Sequence, residues 1–257
     1  MKDPLDLGGR VAIVTGGARG VGFGITARFL EAGADVVVCG RTPPESPVSA
    51  AGREAFFVQA DVREIDQIDR VIAATRERFG RLDVLVNNAG GAPAALAATA
   101  SPRFSESIIR LNLIAPLHMS QRANAVMQQQ DEGGSIVFIT SVSALRPSPG
   151  TAAYGAAKAG LVSLAASLAV EWAPKVRVNC LAAGLVRTEL SHLHYGDEAG
   201  LARTAATIPL GRLAEPRDIG DGCLFLASPL ARYVSGSTLL MHGGGERPAF
   251  LGAVRGE

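Results

Sequence analysis

Short runs that are apolar throughout alternate along the chain with longer stretches in which apolar residues recur every three or four positions. "RVAIVT" (residues 10–15) is β-branched and stops at glycines, which predicts a buried strand. In "VGFGITARFLEAGA" the residues Ile25, Phe29 and Leu30 share a helical face, and Gly33 marks the stop. "DVVVCG" (35–40) predicts a second strand. "RTPPESPVSAAGR" (41–53) predicts a loop, because its prolines have no place in a central strand. The alternation continues with strand "AFFVQAD", helix "IDQIDRVIAATRERFG" and strand "LDVLVNNAG". One long helix is predicted over "RFSESIIRLNLIAPLHMSQRANAVM" (103–127), then strand "GSIVFITS", alanine-rich helix "AAYGAAKAGLVSLAASLAVEW" and strand "VRVNCLAAG". A short helix "PRDIGDGCLFLAS" and a last strand "GSTLLMHGG" complete the pattern. Strands without a polar face belong to parallel sheets covered by helices on both sides. No linker, repeat or shift in composition divides residues 1–257. The prediction is a single α/β domain built on a doubly wound parallel sheet.

Composition narrows the partners. With 25 basic and 24 acidic residues the formal net charge is +1, which offers no basic field to nucleic acid and no polybasic patch to lipid. Cys39, Cys180 and Cys223 are odd in number and set in apolar runs, so they are expected as buried free thiols. His192 and His194 have no evident third ligand, and no metal site is expected. The start "MKDPLDLGGR" lacks a signal-peptide pattern, and no uninterrupted apolar run is of membrane-spanning length. The expectation is a cytoplasmic protein without a membrane partner.

The segment "TGGARGVG" (Thr15, Gly16, Arg19, Gly20, Val21 and Gly22 among its residues) joins the first strand to the first helix. Gly16 permits a tight turn, Gly20 lets backbone approach a pyrophosphate, and Gly22 lets the helix lie close to the sheet. Free N–H groups at the helix start would meet the phosphates. Three residues separate Gly16 from Gly20, so the spacing departs from G-x-G-x-x-G. The second strand ends in Gly40 and Arg41, where an acid would repel a 2′-phosphate. Arg41 and Arg19, in the two loops flanking the adenosine, favour NADP over NAD.

Tyr154 and Lys158 are four apart in the first turns of the alanine-rich helix and therefore share a face. A free phenol has a pKa of about 10, and a neighbouring ammonium lowers it toward the range useful for acid–base catalysis. Together with "NNAG" (Asn87–Gly90) and "YGAAK", these motifs resemble the short-chain dehydrogenase/reductase family, including its 3-oxoacyl-acyl-carrier-protein reductase-like members, along essentially the whole chain. The resemblance implies a Rossmann fold and hydride transfer between a carbonyl and a secondary alcohol, with Tyr154 as general acid and base. Ser141, thirteen residues before Tyr154, matches the family's catalytic serine, and Ser143 does not. Asn112 in "RLNLIAP" matches its asparagine, which is implied to fix a water that relays protons to Lys158. Lys158 is implied to hold the nicotinamide ribose as well. Asp61 and Val62 of "QADV" fall at the adenine positions, and Asn88, Ala89 and Gly90 line the cofactor. Gly184, Val186 and Thr188 match the carboxamide-binding turn, but Ala183 replaces the family's proline, which frees φ there.

The same resemblance implies a homotetramer paired through the alanine-rich helix. Leu161, Leu164, Leu168 and Trp172 lie at helical spacing, and Ala157, Ala165 and Ala169 are candidates for close approach of a partner helix. Residues 189–213 occupy the place of a mobile substrate lid, with Leu190, Leu193, Tyr195, Leu201, Leu96 and Leu145 as lining for an apolar carbonyl substrate. Two alternatives stay open: an NAD-dependent alcohol dehydrogenase of the same family, and a non-catalytic NADP-binding sensor or scaffold. The second has no need for Asn112, Ser141, Tyr154 and Lys158 together.

Overall fold

Each apolar run becomes a strand. In the computed structural model, which describes residues 3–246, 248 and 250, these are β1 (Val11–Thr15), β2 (Asp35–Gly40), β5 (Phe56–Gln59), β6 (Val84–Asn87), β7 (Gly134–Ser141), β8 (Val176–Ala183) and β9 (Thr238–Met241). They form one parallel sheet in the order β5-β2-β1-β6-β7-β8-β9. The predicted loop at 41–53 holds one unforeseen feature, a hairpin of β3 (Ser49–Ala50) and β4 (Arg53–Glu54). Its turn residues Ala51 and Gly52 both take positive φ, 51° and 72°.

Because successive strand residues point to opposite faces, each strand supplies two cores. Ile13, Val37, Leu85, Ile136 and Phe138 face α2 (Ile65–Phe79), α4 (Ala115–Met127) and α5 (Ala152–Glu171). Val14, Val36, Val38, Val86 and Ile139 face α1 (Gly20–Glu31) and α8 (Pro216–Ala227). Full burial of such a side chain stabilises by about 1.5–3 kcal/mol, which is why the runs hold no polar face. Cys39, Cys180 and Cys223 are buried free thiols, as expected. Burial pushes the Cys39 and Cys180 thiols up to about 12 and Cys223 further in the same direction.

The long helix foreseen at 103–127 is broken. It consists of α3 (Pro102–Ile109), a π turn at Arg110–Ile114, and α4. Pro116 has no N–H for the carbonyl of Asn112 four residues earlier, so the α-helical ladder cannot pass this point. The chain widens, and the Ala115 N–H bonds to the Arg110 carbonyl instead. Such π turns concentrate at functional sites.

Helix α5 corrects a second expectation. Its 20 residues include an 18-residue stretch of mean hydropathy 1.4, which by length and composition alone would suffice to cross a bilayer, although Lys158 interrupts it. Here it packs along β7 and β8, with Leu161, Ala165 and Leu168 in the core and Lys158 buried among them. Ala157, Ala165 and Ala169 therefore face inward, not toward a partner helix. The outward stripe is Ala152, Ala156, Ala159, Ser163, Ala166 and Val170. The segment 189–213 contains α6 (His192–Tyr195) and α7 (Glu198–Ala206), the latter capped by the Asp197 carboxylate, which accepts from Gly200 N at 2.9 Å.

Candidate active site

The strand order reverses between β1 and β6, and ligands of such sheets lie beyond the carboxyl ends of the strands at that point. The loops bearing Gly16–Gly20 and Asn88–Gly91 leave the sheet there side by side. Thr15 and Asn88 tie them together. Thr15 Oγ1 accepts from the N–H groups of Asn88 and Ala89, both at 2.9 Å, and Asn88 Nδ2 donates to the Thr15 and Gly16 carbonyls at 2.9 and 3.3 Å. Both side chains thus build the cradle and are not free to bind a ligand. Gly22 has a steric cause: a Cβ there would lie 2.2 Å from the Gly16 carbonyl oxygen.

Helix α1 starts at Gly20 with no acidic residue in its first turn, so nothing on the helix itself offsets its positive end. Arg19 and Arg41 are exposed, and neither forms an ion pair among the described residues. A phosphorylated dinucleotide fits these groups. Asp61 is differently engaged from what the sequence implies, since its carboxylate receives Arg63 Nε at 2.9 Å, Arg63 Nη2 at 2.5 Å and Arg63 N at 3.0 Å. The Arg63 bond holds the Asp61 carboxyl below its ordinary range. The Val62 side chain is core, leaving only its backbone for a ligand. Across the crevice, Thr188 Cγ2 comes within 3.7 Å of where a Gly20 Cβ would sit, and the Glu189 carboxylate within 3.8 Å. Val186 is pinned by a parallel bridge to Ala214. Ala183 ends β8 in register with Ser141 and Met241, and Gly184 N donates to Met241 O at 2.8 Å. The sheet therefore holds the position where the missing proline was expected to free the turn.

Ser141 ends β7, and Tyr154 and Lys158 project from the start of α5. Ser141 is near enough to the Tyr154 phenol to hold its pKa down, and its Oγ accepts from Ser143 N at 3.1 Å. Ser143 Oγ instead accepts from Ser148 Oγ at 3.1 Å, as part of the loop leading to α5. Lys158 Nζ lies 5.5 Å from the centroid of the Tyr154 ring and donates to Ile139 O at 2.8 Å. Asn112, fully buried in the π turn, grips Gly91: its Oδ1 accepts from Gly91 N at 2.9 Å and its Nδ2 donates to Gly91 O at 3.0 Å. Gly90 sits between the two side chains, since a Cβ there would be 2.6 Å from Asn112 Oδ1 and 3.2 Å from Lys158 Nζ. The site thus gathers Asn112, Ser141, Tyr154 and Lys158 from three separate elements.

The electrostatics differ from the simple expectation of a lysine lowering a tyrosine. Burial raises the Tyr154 phenol, Ser141 opposes this, and nearby Tyr195 adds to the rise. Lys158 itself is pushed down to about 8 by burial, with Cys180 opposing. In the ligand-free chain Ser141, rather than Lys158, favours the phenolate.

The substrate side is partly as foreseen. Leu96, Leu145, Leu190 and Leu193 are exposed and line neither the recess beside Tyr154 nor the larger one beside Ile65, whereas Leu201 is buried with Ile208 and Leu213 and anchors its own segment. Tyr195 packs on that small cluster. A recess of about 70 Å³ adjoins the Tyr154 ring, lined in part by Pro93, Phe104 and Ile108. A larger one, about 590 Å³, lies between Ile65, Ile109, Ile114 and His118 and touches none of Ser141, Tyr154 or Lys158. His192 Nδ1 is bonded to Glu189 O at 3.1 Å, and the His194 side chain lies outside the described residues. Arg63 and Gly91 had no signal in the sequence, because each acquires its neighbour only through folding.

Fold and site together define a dinucleotide-binding oxidoreductase. Residues 16–246 match the family described as enoyl-(acyl carrier protein) reductase. The chain is 35% identical over 242 residues to a 3alpha-hydroxysteroid dehydrogenase of Mediterraneibacter gnavus, covering 91% of this chain and 96% of that protein. It is 34% identical over 246 residues to a 3-oxoacyl-acyl-carrier-protein reductase of Chlamydia pneumoniae, covering 93% and 98%. The ligand-free aldohexose dehydrogenase of Thermoplasma acidophilum superposes with a TM-score of 0.87 at 28% identity, covering 93% and 94%. The chain belongs to the short-chain dehydrogenase/reductase family, whose members interconvert carbonyl and alcohol groups with NAD or NADP.

Proposed function

We propose that this protein interconverts an apolar ketone or 3-oxoacyl compound and its secondary alcohol, with NADP(H) preferred. The observation that carries the reading is the convergence of Ser141, Tyr154 and Lys158, with Lys158 Nζ 5.5 Å from the phenol ring and bonded to Ile139 O at 2.8 Å. The backbone of Gly16, Gly20, Val21 and Gly22 would hold the pyrophosphate, and Arg19 and Arg41 the 2′-phosphate. Asp61 and Val62 would flank adenine, with Asn88, Ala89, Gly90, Gly184, Val186 and Thr188 along the remainder. Bound nicotinamide supplies or takes up the hydride. Tyr154, kept protonated by burial, gives its proton to the carbonyl oxygen in the reductive direction. Ser141 donates to the same oxygen and stabilises the charge that develops on it. Lys158 holds the ribose and carries positive charge next to the phenol at neutral pH. Asn112, placed by the π turn, orders the water path to Lys158.

Arg41→Ala tests the cofactor preference. Nicotinamide fluorescence should show NADPH binding weakened roughly tenfold, as for loss of a charged hydrogen bond, with NADH unchanged. Stronger NADH binding by the unaltered protein would turn the reading toward an NAD-dependent alcohol dehydrogenase. The outward stripe on α5, Ala152 to Val170, carries no charge, and Val170 is 80% exposed. A face of small apolar residues suits close helix pairing, which supports a homotetramer. Sedimentation velocity at micromolar protein should give a tetramer, and a monomer would remove this part of the reading.

A further inference from the structure

Arg146 stands five residues beyond Ser141, in the loop that leads to α5. Its Nη1 donates to Pro147 O at 3.1 Å, and its Nη2 donates to Glu246 Oε1 at 2.6 Å, a hundred residues away in sequence. Several other ion pairs brace regular elements: Arg28, Glu31, Arg217 and Asp221 join α1 to α8, and Arg10, Asp83 and Arg81 join the starts of β1 and β6. This pair joins two loops. Both side chains are about a third exposed, at 38% and 35%.

The Arg146 loop runs from the end of β7, at Ser141, to the start of α5, which carries Tyr154, and the Glu246 loop follows β9. The Tyr195 phenol, raised mainly by burial, is also pulled down by Arg146 and pushed up by Glu246, and Tyr195 in turn acts on Tyr154. The ion pair therefore lies within electrostatic reach of Tyr195, and Tyr195 within reach of the Tyr154 phenol. The carboxylate is carried by a thin support. Between His242 and Glu246 the chain is Gly243, Gly244 and Gly245, at φ 66°, 96° and 83°. That support is held by Leu210 N donating to Gly243 O, and Gly245 N donating to His242 O, each at 3.0 Å. Withdrawal of Glu246 from Arg146 breaks no core contact, and a pair this exposed contributes little stability. A guanidinium, however, binds any carboxylate that reaches it with the same forked geometry.

We propose that Arg146 is a specificity-determining residue that binds the anionic end of an otherwise apolar carbonyl substrate, with Glu246 occupying the guanidinium until substrate carboxylate replaces it. This rests on the oxidoreductase reading and adds the charge of the substrate to it. Exposed Leu96, Leu145, Leu190 and Leu193 offer contact to the apolar body, and Arg146 is a cation within electrostatic reach of Tyr195. No covalent step is involved; one carboxylate replaces another.

The test is calorimetric titration of the full chain, saturated with NADPH, with octanoate and with octanamide, which share an apolar chain and differ in charge. Octanoate should bind more tightly than octanamide. Glu246→Gln should tighten octanoate roughly tenfold by removing its competitor and leave octanamide unchanged. Arg146→Met should bring octanoate down to the level of octanamide. NADPH affinity, read on the same variants, should not move. If octanoate has no advantage in the unaltered protein and in Glu246→Gln, or keeps it in Arg146→Met, or if neither probe binds, the proposal is wrong. Failure of NADPH binding or of Tyr154-dependent turnover would instead overturn the oxidoreductase reading.

Discussion

Tyr154→Phe is expected to lower carbonyl–alcohol interconversion by roughly 10²- to 10⁴-fold, the range lost when a positioned acid–base group is removed. The substitution deletes one hydroxyl and keeps the ring at the recess that Pro93, Phe104 and Ile108 also line. The fold and the cofactor crevice should therefore stay intact, and NADPH should bind with unchanged affinity. Ser141 loses a neighbouring hydroxyl but keeps the bond from Ser143 N at 3.1 Å. Single-turnover measurement of NADPH oxidation separates loss of the chemical step from loss of binding. Retention of more than about a tenth of the rate would remove Tyr154 from its role and revive the reading of a binding protein.

Lys158→Met is expected to abolish turnover and yet stabilise the ligand-free protein at neutral pH. Burial lowers the ammonium from the ordinary 10.5 to about 8, so below that value the native state holds a buried cation at a cost. The gap corresponds to roughly 3 kcal/mol, and loss of the bond to Ile139 O returns about 1, leaving a net gain of about 2 kcal/mol for methionine at pH 7. The pH dependence has a definite sign. Between about 8 and 10.5 the unfolded chain binds more protons than the native one, so the unaltered protein gains stability as pH rises. The advantage of methionine should shrink across that window and vanish above it. Urea unfolding of both proteins at several pH values from 7 to 10.5 would check this. An unaltered protein already more stable than the variant at pH 7 would mean that the buried ammonium costs nothing. The combination is the signature of a group placed for chemistry rather than for folding.

The two expectations share a cause in how the site is assembled. The Tyr154–Lys158 spacing is local to one helix, and a four-residue separation places both on one face in any α-helix. What surrounds them is not local. Ser141 reaches Tyr154 because β7 ends where α5 begins its run along the sheet, and Ile139 O accepts from Lys158 because α5 crosses that strand. The same distinction explains the missed break in the 103–127 helix. Pro116 opens the ladder, but proline near a helix start is common, and only the Asn112 bonds to Gly91 show what the widened turn positions.

Asn112 and Ser141 entered only through resemblance to the family, whereas the amino-acid sequence alone determined the strand and helix alternation, hence the doubly wound sheet, the glycine loop and the Tyr154–Lys158 spacing. These follow from period, from β-branched runs and from glycine and proline positions, all of which act within a few residues. Only the tertiary structure decided which side of α5 is buried, because that helix is apolar on nearly every face and its pattern contains no direction. It also decided that Thr15 and Asn88 serve the cradle, that Asp61 is held by Arg63, that burial outweighs Lys158 in setting the Tyr154 phenol, and that Arg146 meets Glu246. Each of these depends on which groups the folded sheet and its loops bring into contact, and on the water they exclude, quantities that no local spacing encodes.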